Sequence, residues 1–563
     1  MAQNVEFYRN LKSSITTVRD RYVGLWSLVG EILNNSKIQY NAELGVTEGG
    51  ESDTLDKYTY DPSCRRAVET VCDYYASLIF PAYEPFSLMP PADVKETEIR
   101  SSDLDWYIQQ SKRVVSALYD AKSGFNEVKQ MFYRDWVTFG TAGLYVTESD
   151  DENVPFIIQE FGVDNLGIQD GYNSVPEYSV LAFNWFPQVI VSYFGGKDSP
   201  LYSKLPNDIR SSYESGEWTE QFLLYCVISK NDEYNPNAKM GKKSAKYTGA
   251  WFFEDGEDLI KVDHYHENPM TVARYARIRG EVYGRSDVSN FINTIVAING
   301  IIYLAYQSLG KMADPAIGVF DNALAQDTEM DTDAGAIVAL DSTFASGANP
   351  VIPLQDIGNS EPLTKFLLTY LQEELIKAFK LDIILPIVQT GGMTATEFVN
   401  RLALQSEVIS GVLARHLGQI APFYDRIVNI CGRRPGFFDL KNAPKFVKER
   451  INDGKPWFSI KHNNAIMNTM NAAKQRDFVN TCNSLIMAAQ LDQSIMPDID
   501  MYDSVLAIVK DSVLKDVLPT KTEHKERKAA MQMQAIAAQQ AQIANVASQA
   551  NRNNAQANQI EGQ

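Results

Sequence analysis

The stretch SDVSNFINTIVAINGIIYLAYQSLGKM, Ser286 to Met312, decides how the rest of the chain is read. Its apolar residues Phe291, Ile295, Ile298, Ile302, Ala305, Leu309 and Met312 alternate steps of four and three, the seam of a helix that packs lengthwise on other helices. Ser286 can cap that helix, and Asp287 falls in the first turn, where a negative charge meets the positive end of the helix dipole. At about 1.5 Å per residue the rod is roughly 39 Å long, enough to bundle with neighbours. Asn293, Thr294 and Asn299 interrupt its apolar surface, which argues against a membrane span.

Going towards the C-terminus, Pro315 stops the rod, and Ala316 to Pro353 reads as a small lobe of β-branched and glycine residues around an acidic loop, Asp327, Glu329, Asp331 and Asp333. A second helix starts near Ser360 to Pro362 and carries Leu368, Leu371, Leu375 and Ala378 at steps of three, four and three. Two long helices thus flank one lobe. Leu381 to Gly392 is apolar with Pro and Gly, and Thr394-Ala-Thr-Glu397 has the form of a capping box. The helical stripe Phe398, Leu402, Ile409, Val412, Ile420, Ile427 and Ile430 follows, with bends expected at Gly411 and Pro422. Two or three helices separated by Pro497 to Asp500 are expected between Asn464 and Leu514. Beyond Lys528 the chain is rich in Ala, Gln, Met and Asn; Ile536, Ile543 and Ala550 lie seven apart, as in a helix gathered with copies of itself, and the last dozen residues are expected to be disordered.

Towards the N-terminus, Phe7, Leu11, Ile15, Val18, Tyr22, Leu25 and Leu28 or Val29 predict an amphipathic helix from Val5 to Leu33. Further helices are expected over Ser63 to Phe80, Trp106 to Tyr119 and Val128 to Phe139. Strand-like runs over Phe156 to Gln159, Tyr178 to Phe183, Val189 to Tyr193, Glu220 to Ser229 and Ala250 to Glu254 make residues 144 to 270 a β-rich insertion. The Lys-rich run Lys239 to Lys246 reads as a solvated hairpin loop.

Length and composition agree with a folded protein of three or four domains: 563 residues, 45% hydrophobic and 22% charged. A net charge of −19 repels nucleic acid and anionic lipid, which argues against a tight non-specific DNA binder. Cys64, Cys72, Cys226, Cys431 and Cys482 include no C-x-x-C pair and read as reduced thiols. The first thirty residues show no basic start followed by an apolar stretch, so no secretory signal is expected.

Motifs for catalysis are missing. There is no phosphate-cradling G-x-x-x-x-G-K-[ST] loop and no G-x-S-x-G elbow. His264 and His266, beside Asp263 and Glu267, offer two ligands on alternate strand positions without a third and fourth. Asp331-Thr-Asp333-Ala-Gly335 has Ser342 where a calcium loop needs its bidentate Glu. No metal site, no cofactor and no enzymatic activity are expected. A metal-dependent nuclease built on Asp327, Glu329, Asp331 and Asp333 is the enzymatic alternative, since clustered carboxylates can hold two hard cations.

Five blocks resemble the portal, or head-to-tail connector, family of short-tailed bacteriophages. Glu281-Val-Tyr-Gly-Arg-Ser286 before a long helix is similar to the family's YGRSP motif, with Asp287 in place of the Pro. Gly392-Met-Thr-Ala-Thr-Glu397 with Arg401 is similar to its MTATEV block. Phe139-Gly-Thr-Ala-Gly-Leu-Tyr145 resembles a GTA strand start, and Ala76-Ser-Leu-Ile-Phe-Pro81 with Phe86 and Leu88 an early LfP segment. Pro497-Asp-Ile-Asp500 with the run Glu523 to Arg527 resembles the C-terminal part.

The resemblance implies an α+β, mainly helical multidomain subunit that assembles into a ring, typically of twelve copies. Residues 1–285 would form the wing with its β-rich insertion 144–270, residues 286–312 and 361–380 the stem, and 313–360 the clip holding Asp327, Glu329, Asp331 and Asp333. Residues 381–394 would form the tunnel loop, 395–470 a kinked wing helix and more wing, and 471–563 the crown with a C-terminal helical barrel and tail. Pro386, Ile387, Val388, Gln389, Thr390, Gly391, Gly392 and Met393 would face DNA. Phe291, Ile295, Ile298, Ile302, Leu309, Leu368, Leu371 and Leu375 would pack stem against stem. The implied partners are transient double-stranded viral DNA, the terminase (packaging ATPase), tail adaptor proteins, the major capsid protein, and scaffolding or core proteins, with no membrane. The implied location is a unique capsid vertex of the virion, after assembly in the host cytoplasm. A tail adaptor ring is the non-enzymatic alternative; it would lack the long helix pair with its intervening lobe.

Overall fold

The computed structural model describes residues 5–34, 60–81, 85–94, 99–216, 218–238, 241–256, 258–313, 317–319, 351–353, 361–384 and 395–462, with short stretches between 39 and 48 and helical stretches between 528 and 549. The acidic loop Asp327 to Asp333, residues 386–393, the Thr394 cap, Pro497 to Asp500 and Cys482 lie outside the described residues.

Apolar periodicity places the N-terminal helices within a few residues of their expected bounds. They are α1 (Val5–Asn34), α2 (Ser63–Ile79), α3 (Ser101–Tyr119) and α4 (Phe125–Thr138). A small hairpin, β1 (Gln39–Tyr40) with β2 (Thr47–Glu48), and strand β3 (Phe86–Met89) lie between them. The buried face of α1 is rotated by one position from the expected stripe: Tyr8, Lys12, Ile15, Arg19, Trp26 and Val29 are buried, while Phe7 and Leu28 are exposed. Partners for the two cations explain the rotation. Lys12 Nζ pairs with Glu254 at 2.5 Å and lies 3.9 Å from the Tyr225 ring centre. Arg19 donates to the carbonyls of Val163 and Asp164 at 2.9 and 3.2 Å. With their heads satisfied, the apolar stems of both side chains count as core.

Next come β4 (Thr141–Glu148), β5 (Phe156–Phe161), β6 (Leu166–Asp170) and β7 (Pro176–Trp185), then helices α5 (Pro187–Tyr193) and α6 (Asn207–Ser215). Strands β8 (Phe222–Lys230), β9 (Tyr247–Phe253), β10 (Lys261–Tyr265) and β11 (Met270–Arg274) complete the β-rich region. Five strands form an antiparallel sheet in the order β10-β9-β8-β7-β6, and three form a second, β11-β4-β5. The expected strand over Val189 to Tyr193 is instead the helix α5, because Pro187 occupies its first turn and presets helical φ. Residues 241–246 of the Lys-rich run form a surface turn with Lys242, Lys243 and Lys246 exposed.

The deciding stretch splits in two: α7 (Asp287–Asn290) and α8 (Ile292–Ala313). One unbroken helix was expected; Phe291, at φ −106° and ψ 14°, leaves the helical conformation between them. Strands β12 (Ile317–Val319) and β13 (Val351–Pro353) pair antiparallel, bringing together the two ends of the stretch expected to be a lobe. Helices α9 (Glu361–Ala378), α10 (Leu381–Ile384) and α11 (Ala395–Arg433) follow, with Pro422 inside α11. Finally α12 (Lys445–Asn452) leads to β14 (Ser459–His462), which pairs with β3 so that His462 lies opposite Phe86. Helix α11 packs along the three-stranded sheet, and its Phe423 and Tyr424 join Phe80, Phe86 and Phe125 in one aromatic cluster. The LfP segment therefore docks on the helix that the MTATE block opens.

Candidate functional site

The helix pair α8/α9 and the seat that holds it form the candidate site. Its seat is built from two of the quoted blocks. Gly140 ends α4 with φ +83°, and a Cβ there would lie 2.6 Å from the Gly284 carbonyl oxygen. A Cβ on Gly284 would in turn meet the Gly140 carbonyl oxygen at 2.3 Å. Two backbones this close require glycine at both positions. Around the crossing, Gly284 N–H donates to Thr141 Oγ1 (2.8 Å), Tyr275 N–H to the Gly140 carbonyl (2.9 Å) and Ser286 Oγ to the Thr138 carbonyl (2.7 Å).

Ser286 also accepts from Ser289 N–H at 3.0 Å, the expected N-cap, and is itself fully buried. Asp287 Oδ2 accepts from the Tyr275 hydroxyl at 2.5 Å, and burial raises the carboxyl above its usual range. One further contact sets the direction of α8: Asn299 Oδ1 accepts from the backbone N–H groups of Tyr60 and Asp61 at 2.6 and 3.3 Å. An asparagine that breaks the apolar pattern of the sequence thus ties the rod to the residues just before α2. The Tyr60 ring lies tilted beside that of Tyr303, ring centres 5.0 Å apart, one turn further along.

Of the residues expected on the stem seam, Ile295, Ile298 and Leu375 are buried, Phe291, Ile302, Leu368 and Leu371 are half-buried, and Leu309 is 62% exposed. The rod therefore has two regimes. Near its base, Ile292, Ile295, Ile298, Leu375, Phe379 and Leu381 belong to the main core. Further out, Leu304 is 60% exposed, Tyr306 59%, Phe366 70% and Tyr370 53%. Segment Ile292–Gly310 is long and apolar enough to cross a membrane by length and composition, with only 17% of it buried within the chain.

Among the described residues no group of three or more His, Cys, Asp or Glu is placed to hold a metal ion. His264 lies on β10, but His266 falls just past its end; burial lowers the His264 pKa. The thiols of Cys64, Cys72, Cys226 and Cys431 are free and buried, and burial raises them, Cys72 to about 12. An open polar cleft of about 1050 Å³, lined by Arg113, Asp120, Asp150, Glu152 and Arg434, was not anticipated. Its arginines are turned to backbone carbonyls, Arg113 to Phe437 and Arg434 to Ser149.

Among solved structures, the chain is similar to one in the neck of an empty GTA particle computed with C6 symmetry: 13% identity and TM-score 0.34, over 72% of this chain and 95% of that chain. It is similar also to one in the virion of a native gene transfer agent (GTA) particle: 13% identity and TM-score 0.31, over 70% of this chain and 90% of that chain. No curated protein matches. The model of the family described as bacteriophage head to tail connecting protein matches residues 15–511, and a match over so much of its length shows that the chain belongs to that family.

Proposed function

We propose that this connector is a portal subunit, a structural protein without enzymatic activity that rings a unique capsid vertex and passes double-stranded DNA inward during packaging and outward at infection. The observation that carries this is the outer half of α8/α9: a long helix pair, anchored at its base by the core, with Tyr303, Leu304, Tyr306, Leu309, Phe366, Leu367 and Tyr370 uncovered within the subunit. Isolated chains rarely leave so much contiguous apolar surface on a rod; a neighbouring rod is the cover that a head-to-tail ring interface provides. The Asn299 tie also favours a protein cover over lipid, because it fixes the helix to polar backbone partway along its length.

In this assembly, residues 286–312 and 361–380 form the stem and 313–360 the clip, which meets the terminase and later the tail adaptors. Residues 381–394 form the tunnel loop, and the crown 471–563 faces the capsid interior with its scaffolding or core proteins. An acidic chain suits the task, since each phosphate held by a basic lumen would deepen a trap for a polymer that must slide. Electron micrographs of the purified protein are expected to show closed rings across a range of salt concentrations. Monomers and dimers alone would overturn the proposal.

Residues 386–393 carry no charged side chain, which suits a loop that touches DNA without a fixed ion pair. Replacing Gly391 and Gly392 with bulky residues is expected to lower the yield of packaged genomes at least tenfold while rings still assemble. A packaged-genome yield equal to wild type would remove these residues from the tunnel.

A further inference from the structure

Three carboxyl groups meet where α4, β5 and the turn after β5 come together, and neither the proposed channel nor the stem uses them. Asp135 is on the last turn of α4, Glu160 near the end of β5 and Asp164 in the turn towards β6. Gly162 lies between them. A Cβ there would fall 2.1 Å from Asp135 Oδ2 and 2.7 Å from Asp164 Oδ1, so both carboxyls crowd one small volume that only glycine leaves open. Glu160 lies beside Asp135, and its Oε1 is buried without a hydrogen-bond partner. Two carboxyl groups can share a hydrogen bond only when one of them carries a proton.

We infer that Asp135, Glu160 and Asp164 form a proton-dependent latch that holds α4 on β5 while a proton is shared and loosens that seam when the proton is lost. Few surrounding charges can substitute for the proton. Arg134, next to Asp135 on α4, is exposed. From α1, Arg19 reaches the Asp164 carbonyl at 3.2 Å and offsets the Asp164 charge only in part; its neighbour Asp20 is acidic. The side chain of Asn165 donates to Asp164 Oδ2 at 3.2 Å. Helix α2 presents the Cys72 thiol from its side, which carries no positive charge. Burial raises all three carboxyls, and repulsion from their neighbours adds to it for Asp135, which reaches about 7, and for Glu160.

The position gives the latch a consequence. Three residues after Asp135, Thr138 supplies the carbonyl that receives Ser286 Oγ, so the strip of α4 that the proton secures is the strip on which α7 and the rod are seated. The sign of the effect follows from raised folded-state pKa values: the stabilisation is present at acidic pH and is lost as pH rises through about 7.

The test is thermal unfolding of the full chain from pH 5 to 9, for the wild type, Asp135→Asn and Glu160→Gln. Near pH 5 the three are expected to melt alike. At pH 8.5 both variants, free of the repulsion, are expected to melt about 3–5 °C above the wild type. Infrared spectra are expected to show a carboxylic-acid band in the wild type at pH 6 that weakens in either variant and fades by pH 9. Hydrogen exchange in the last turn of α4, corrected for the intrinsic pH dependence, is expected to quicken about tenfold in the wild type at pH 8.5 and not in Glu160→Gln. Parallel melting curves, or a wild-type infrared band that is absent at pH 6, would overturn the latch. Each readout is a difference between wild type and variant across pH at α4 and β5, read whether or not rings form, so the latch and the portal assignment can fail separately.

Discussion

Leu304→Asp and Leu309→Asp are expected to yield soluble, folded subunits that no longer close into rings. Both leucines are mostly exposed within the subunit, so the fold loses little when either is replaced. In a ring each would be covered by a neighbouring rod. Replacement then forfeits about 1.5–3 kcal/mol of apolar burial and adds the penalty of an unpaired carboxylate at an apolar contact. That is about a hundredfold or more in association at every interface, and the loss recurs around the circle. Sedimentation should show monomers where the wild type gives one large species, with unchanged circular dichroism. Leu375→Asp provides the contrast: Leu375 is 2% exposed in the core at the base of the rod, and its replacement should unfold the subunit rather than disperse it. Full-sized rings from Leu304→Asp at wild-type concentration would mean that the outer rod is not the interface.

Arg426→Ala should be the most destabilising single change away from the rod, by about 3–5 kcal/mol, or about 3–4 °C in melting temperature for a chain of this length. Arg426 is 1% exposed on α11, in the middle of the three-stranded sheet's contact. Its Nε donates to the Val146 carbonyl at 2.9 Å, Nη1 reaches Glu267 at 3.4 Å, and the guanidinium lies 5.3 Å from the Tyr265 ring centre. Glu267 is held in turn by Arg433 at 2.8 Å, which also pairs with Glu148 at 2.9 Å. Truncation orphans a buried carbonyl, weakens the network that fastens α11 to β4 and opens a cavity. Arg426→Met should lose markedly less, because an apolar side chain of similar length refills the space. Equal losses for Ala and Met would show that the charge, and not the packing, is what the site requires.

Arg426 also shows where sequence reading stopped short. It stands three residues after Phe423 and one before Ile427, on the inward face of a stripe identified from its apolar members alone. Arg19 and Lys12 on α1 and His416 on α11 occupy the same kind of position, buried polar residues on a helix face turned to the core. His416 packs 4.2 Å from the Trp136 ring centre, and burial lowers it to about 3, so it stays neutral. A charged or imidazole side chain in register with an apolar stripe was the available signal. It marks a residue whose partner lies on a distant segment, such as Val163 for Arg19 or Glu254 for Lys12.

Local pattern was enough for most of the architecture. The four-three spacing of Phe291 to Met312, the Ser286 cap and the N-terminal stripes are short-range properties, set by backbone hydrogen bonding and the helical period, and they foretold the long helices to within a few residues. The quoted blocks carried the family in the same way. The helix over Val189 to Tyr193 had a local signal in Pro187, set aside for a strand-like run, whereas tertiary structure alone decided the rotated face of α1, which depends on what the helix packs against and not on its own period. It also decided the meeting of Gly140 with Gly284 and of Asp135 with Glu160 and Asp164. Such meetings join residues far apart along the chain, and their energy comes from shape and charge at close quarters, which no spacing in one dimension encodes.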